Sequence, residues 1–210
     1  MRGGIVQLRE ALSQISEIRQ QMADAQVFRG YRSATTACTA LVAGATAVVQ
    51  AVWVPDPARQ VNAYLALWCS AAFVSVVIVG LEMALRCRRA GSSFQNDITR
   101  VVADQFVPSI VAGGLLTLVI ARFPGDCLGM LPGLWAIVFS LGVFASRRFL
   151  PRSIFLVGGY YLLAGLYCLT LDRNVAALSP WTMGLLFGAG QLLTAGVLYW
   201  TLERNHGRGE

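Results

Sequence analysis

The feature that most constrains this chain is a series of long apolar blocks separated by short polar segments. Of its 210 residues, 56% are hydrophobic and only 13% are charged, whereas a soluble domain carries about 25% charged residues. Blocks of about 20 apolar residues match the thickness of a lipid bilayer. The pattern therefore predicts an all-α integral membrane protein that lies in a lipid bilayer.

Six apolar blocks follow one another, and we predict that each forms a transmembrane helix. The predicted spans are about 34–54, 63–85, 105–121, 128–145, 153–171 and 181–202. They make up one transmembrane domain, 33–202, between an N-terminal arm, 1–32, and a polar tail, 203–210. A cleaved signal peptide has its apolar region within about the first 15–30 residues. The first block begins later, so we expect the first span to be retained.

The arginines predict the orientation of the spans. The net charge is +6, and all 17 basic residues are arginine. Of these, 14 fall in the arm, the tail and the segments 86–100 and 147–152, and 3 fall in the alternate segments. Positively charged loops stay in the cytoplasm, so both termini are predicted to be cytoplasmic. The compact chain and its short loops further predict that the membrane is a bacterial inner membrane. Because orientation explains the basic residues, we expect no nucleic-acid partner.

Residues 4–31 predict an amphipathic helix outside the membrane. Apolar residues recur there at spacings of three and four, which places them on one helical face. The candidate partner-binding face consists of Ile5, Leu8, Leu12, Ile15, Ile18 and Met22. Three interpretations stay open: the arm binds a cytoplasmic protein or a second copy of the chain, it lies in the membrane interface, or it packs on the protein's own loops. The polar face of the arm contains both acidic and basic residues. This weakens the interpretation as a helix in the membrane interface, since the polar faces of such helices are rich in basic residues.

Two acidic residues flank the Arg-rich segment, and they are candidates for a polar site. Glu82 lies near the end of the second predicted span, four residues before Arg86, and Asp104 follows Arg100 at the start of the third. A charged group within a bilayer is costly and therefore suggests function. The simpler interpretation is an interfacial ion pair between Glu82 and Arg86. The functional one is an acid that senses protons or cations at a cytoplasmic vestibule.

Gln191 is a further candidate, in the middle of the sixth predicted span. Gly184 and Gly188 precede it on a face that allows close helix packing. Its amide is expected either to hydrogen-bond a neighbouring helix or to face a substrate.

The sequence contains no motif of an enzyme or a metal site. The single histidine, His206, lies in the polar tail, and the five cysteines lack the spacing of metal ligands. We therefore expect no catalytic residue, metal or cofactor. Cys127 and Cys168 are both predicted near the outer face, where a disulfide is chemically permitted.

The sequence leaves three classes of function open. The first is a membrane-embedded partner or regulatory subunit, coupled to a cytoplasmic protein through the arm. The second is a small transporter or channel with a polar site near the cytoplasmic side. The third is an enzyme that acts on a lipid or quinone, although the sequence contains no motif for such an activity. No residue in the chain decides the specific activity.

Overall fold

A computed structural model gives the arrangement of most of the chain. It describes residues 33–90, 93–123, 127–146, 153–171 and 176–203. Within these ranges, only the backbone is described at positions 86–87, 89–90, 93–103 and 202–203. The predicted amphipathic arm, with all six residues of its apolar face, lies outside the described residues.

The described part is entirely helical. Its six α-helices are α1 (Ser33–Trp53), α2 (Val61–Ala90), α3 (Ser93–Arg122), α4 (Leu131–Ala145), α5 (Ile154–Thr170) and α6 (Pro180–Leu198). A 3-10 turn, Leu128–Met130, leads into α4, and a π-helical turn, Tyr199–Glu203, ends α6. Prolines lie in the first turn of α4 and of α6, where a missing N–H costs nothing. The backbone of Arg86–Arg89 belongs to α2, so this segment is helical and not the loop that the sequence suggested.

Five helical segments are long and apolar enough to cross a membrane. They are Ser33–Trp53, Val61–Leu85, Asp104–Arg122, Leu128–Ala145 and Pro180–Thr201. The remaining apolar helix, α5, is shorter, with 17 residues. The expectation of an all-helical chain with several membrane-compatible helices is thus confirmed.

Each helix packs against two others, in a closed ring. Consecutive helices are neighbours along the chain, and α6 returns to pack against α1. The contacts of α1 with α6 and of α4 with α5 are the most extensive, and that of α2 with α3 is the least extensive of the six. The bundle has two ends. We call "termini-side" the end at which α1 begins and α6 finishes, and "far" the end that carries residues 54–60 and 176–179.

Small residues bring the helix backbones together. A Cβ on Gly133 would lie 2.7 Å from the carbonyl oxygen of Gly165, and one on Gly184 would lie 2.7 Å from the Cβ of Ala47. The first contact joins α4 to α5, and the second joins α6 to α1. Close backbone approach of this kind stabilises helix pairs in lipid, where burial of apolar surface contributes little. The predicted close-packing role of Gly184 is visible in its contact with α1.

We expect Gly133→Ala to lower the free energy of unfolding by about 1–3 kcal/mol, because overpacking forces the backbones apart. The new methyl group would meet a carbonyl oxygen that has no room to move. Gly159→Ala on α5 is the matched control, since a Cβ there meets no atom within 4 Å. Thermal unfolding in detergent should show a loss for the first variant alone, and equal melting temperatures would contradict the close crossing.

The two ends of the bundle are packed differently. At the far end, a buried cluster joins Val54, Tyr64, Trp68, Ile120 and Leu178. A second cluster lies mainly among α4, α5 and α6. All buried side chains of α2 belong to its first eight residues, and within the described side chains of 69–85 and 104–119 none is buried. The α2–α3 pair is therefore packed into the bundle at the far end and lies looser towards the termini-side end.

Candidate functional site

Most buried polar side chains of the bundle are satisfied within it. The hydroxyl of Thr39 donates to the carbonyl of Thr36 at 2.8 Å, and that of Thr46 donates to the carbonyl of Val42 at 2.7 Å. Ser140 on α4 donates to the carbonyl of Gly158 on α5 at 2.9 Å. Such pairing is needed because lipid offers no hydrogen bonds to polar groups. Polar atoms that depart from this rule point to function.

Gln50 is the centre of a buried hydrogen-bond network at the far end. Its Nε2 donates to the carbonyl of Leu178 at 2.8 Å, and its Oε1 accepts from Nε1 of Trp68 at 2.7 Å. Gln50 is fully buried and Trp68 is 4% exposed. One side chain thus joins α1, α2 and the segment between α5 and α6. The network connects parts of the chain that are 128 residues apart.

Tyr64 lies one helical turn from Trp68, in the same cluster. Its side chain is fully buried, and its hydroxyl has no hydrogen-bond partner. A buried donor without a partner has a cost in stability. The closed far end therefore contains one polar group that water would solvate better.

A second polar pair lies at the termini-side end, between α3 and α4. Ser109 on α3 lies against Gly142 on α4, where an added Cβ would be 3.0 Å from the serine Oγ. One helical turn further along each helix come Gln105 and Ser146. The Oε1 of Gln105 and the Oγ of Ser146 are both buried, and neither has a hydrogen-bond partner among the described residues. Two unpaired polar atoms are thus placed at the same level of facing helices.

The surroundings of this polar pair are aromatic. Phe106 is next to Gln105, and its ring lies 6.1 Å from that of Phe139 on α4. The ring of Phe139 in turn lies 4.6 Å from that of Tyr161 on α5, edge to face. The two neutral polar atoms therefore lie near apolar aromatic rings.

The predicted charged residues lie around this end, but outside the buried part. Glu82 is half-buried and makes an interaction of its own. Glu82 shares the inward face of α2 with Ser75 and Ile78. The three residues are half-buried and follow one another at spacings of three and four. Asp104 is exposed. The side chains of Arg86 and Arg100 lie outside the described part, so the Glu82–Arg86 ion pair stays a prediction.

Gln191 is half-buried on α6. Among the described residues, the glutamine that joins helices is Gln50. Sequence analysis favoured Gln191 because glycines precede it. It missed Gln50, although a glutamine between Val49 and Ala51 in an apolar block is the same signal.

The described side chains do not bring three His, Cys, Asp or Glu residues together as a metal site would require. Four cysteines are described, and all are free thiols. Cys38, Cys69 and Cys127 are exposed, whereas Cys168 is buried. The disulfide considered between Cys127 and Cys168 is therefore not formed in this structure.

A scan of known protein families matches none of them, and comparisons with characterised proteins and with solved structures find no significant similarity. The argument for function therefore rests on the geometry of the bundle.

Proposed function

We propose that the chain crosses the membrane six times, with both termini in the cytoplasm of a bacterial cell. Support for a sixth span comes from the pairing of α5 with α4. Gly165 lies against Gly133 and the carbonyl of Gly158 accepts from Ser140, so the two helices run antiparallel between these two contacts. A helix of 17 residues is about 25 Å long, close to the hydrocarbon thickness of about 30 Å. The arginine distribution supports the orientation, and makes the termini-side end cytoplasmic.

Within this topology, we propose that the protein binds a small polar solute and passes it across the membrane. The observation that carries the proposal is the pair of buried, unpaired atoms, Oε1 of Gln105 and Oγ of Ser146. Polar groups that are buried without a hydrogen-bond partner are costly. A solute that donates to Gln105 and exchanges a hydrogen bond with Ser146 would remove that cost.

The solute is proposed to be neutral. Both polar groups of the site are uncharged, and among the described residues no Asp, Glu or Arg side chain is buried. A charged solute would need a buried counter-charge, because a charge in low dielectric is stable only when it is paired. Glu82 and Asp104 are placed where they would meet a solute before it enters.

The test is solute flux into proteoliposomes made with the full-length protein. Glycerol and urea are the probes, since both are small, neutral donors of hydrogen bonds. Light scattering after an osmotic step should show faster equilibration with wild-type protein than with empty vesicles. Gln105→Leu should remove about 90% or more of this difference, because a site built for a hydrogen bond strongly rejects its loss.

Gln60→Leu is the matched control, since Gln60 is exposed in the segment between α1 and α2. It should conduct like the wild type. Vesicles with wild-type protein that equilibrate no faster than empty ones for either probe would overturn the proposal, as would full flux through Gln105→Leu.

We propose the partner-subunit function as the second candidate. It is favoured by the amphipathic pattern of residues 4–31, which precede α1 at the termini-side end. Deletion of residues 2–28 should then remove a co-purifying cytoplasmic protein or dissociate an oligomer, as seen by light scattering in mild detergent. If both remain unchanged while flux persists, the partner function is wrong and solute passage stands alone.

A further inference from the structure

We infer that the network centred on Gln50 is a latch that keeps the far end of the bundle closed. The inference rests on the proposed function for its purpose, because a solute path must be closed at one end while it is open at the other. Its structural basis, however, is independent of the polar pair between α3 and α4.

The network joins three elements of the bundle at one buried point. Gln50 on α1 binds Trp68 on α2 and the carbonyl of Leu178, which precedes α6. All three residues are almost fully buried. Loss of the amide would leave a buried N–H and a buried carbonyl unpaired at the same point, so both bonds favour the state in which α2 and the segment before α6 stay docked on α1.

Among its described side chains, α2 is deeply buried only at the far end. Its buried side chains are Tyr64, Leu65 and Trp68, which all lie within two turns at the far end. From position 69 to position 85 the described side chains are exposed or half-buried. Release of Trp68 would therefore remove one of the three side chains that anchor α2 within its described part.

One polar group makes the closed state less stable. The hydroxyl of Tyr64 is buried without a partner beside the network. Opening would expose it to water, which supplies the missing hydrogen bond. The unpaired hydroxyl thus offsets part of the stability that the Gln50 bonds give to the closed state, so that the two states differ less in free energy.

A native cysteine reports on this closure. Cys168 is buried in the last turn of α5, at the far end, whereas Cys127 is exposed at the same end. In detergent, a charged maleimide should label Cys127 quickly and Cys168 slowly. Mass spectrometry of peptides measures both rates in one sample, and Cys127 is the internal reference.

Trp68→Phe keeps an aromatic ring but removes the donor to Gln50. We expect it to raise the labelling rate of Cys168 by about 10-fold, as loss of one buried hydrogen bond shifts an equilibrium. Trp135→Phe is the matched control. It removes a hydrogen bond of similar length, in which Nε1 of Trp135 on α4 donates to Oγ1 of Thr117 on α3 at 2.9 Å. This control should leave the labelling rate of Cys168 unchanged.

Equal labelling of Cys168 in wild type and Trp68→Phe would overturn the latch, and so would an equal increase in both tryptophan variants, which would show general loosening. If Trp68→Phe does not fold, Gln50→Met tests the same bonds with a side chain of similar length. Labelling does not depend on a solute. Faster labelling of Cys168 in Trp68→Phe, without glycerol or urea flux through the wild type, would support the latch and reject the proposed function. Flux through the wild type with unchanged labelling of Cys168 would reject only the latch.

Discussion

Replacing Gln50 with leucine is expected to lower the free energy of unfolding by about 2–5 kcal/mol, the largest loss that we expect from any single substitution. Two buried groups lose their partner at once, the indole N–H of Trp68 and the carbonyl of Leu178. Each unpaired group costs about 1–3 kcal/mol. Unfolding in mixed micelles, followed by circular dichroism, measures the change.

A double variant separates the hydrogen bond from packing. Once Gln50 is replaced by leucine, the indole N–H of Trp68 has no acceptor to lose. Trp68→Phe should therefore lower the free energy of unfolding less in the Gln50→Leu background than in the wild type. Strict additivity of the two losses would contradict a direct bond. Gln60→Leu should change stability by no more than about 0.5 kcal/mol, because it alters an exposed side chain.

Ser146→Ala is expected to have the opposite effect on stability, with a loss of function. The hydroxyl of Ser146 is fully buried and unpaired. Its removal should raise the free energy of unfolding by about 1 kcal/mol, since the cost of an unsatisfied group disappears. The same change should reduce glycerol and urea flux. Stability gained at the expense of activity is typical of residues kept for function.

Ser140→Ala on the same helix is the matched control for Ser146→Ala. Ser140 is equally buried, but its hydroxyl donates to the carbonyl of Gly158 at 2.9 Å. Its replacement should lower stability by about 0.5–1.5 kcal/mol, because a made hydrogen bond is lost. If both serine variants lose stability to the same extent, Ser146 has a structural partner and the proposed site is wrong.

The helical nature of the chain and its membrane-compatible segments could be predicted from the apolar blocks alone. The extent of α2 and α3 could not. Arg86–Arg89 was read as a loop because of its charge, yet the backbone stays helical as far as Ala90. Charge ends a membrane span, but not a helix, since arginine has a high helix propensity.

The sequence and the structure draw attention to the same end of the bundle, but to different residues. Charge drew attention to Glu82 and Asp104, whereas the unpaired atoms belong to Gln105 and Ser146. Position in the sequence does not reveal whether a neutral side chain faces a neighbouring helix. That depends on the register between α3 and α4, which the contact of Gly142 with Ser109 sets. In the same way, the bond between Gln50 and Leu178 spans 128 residues and has no local signal.

The most direct test of the account is glycerol and urea flux through the double variant Gln105→Leu/Ser146→Ala, beside wild type, in vesicles of equal protein content. The account predicts flux at the level of empty vesicles from a protein that unfolds at a higher temperature than the wild type. Flux equal to that of the wild type would show that the buried pair between α3 and α4 takes no part in solute passage, and would contradict the account.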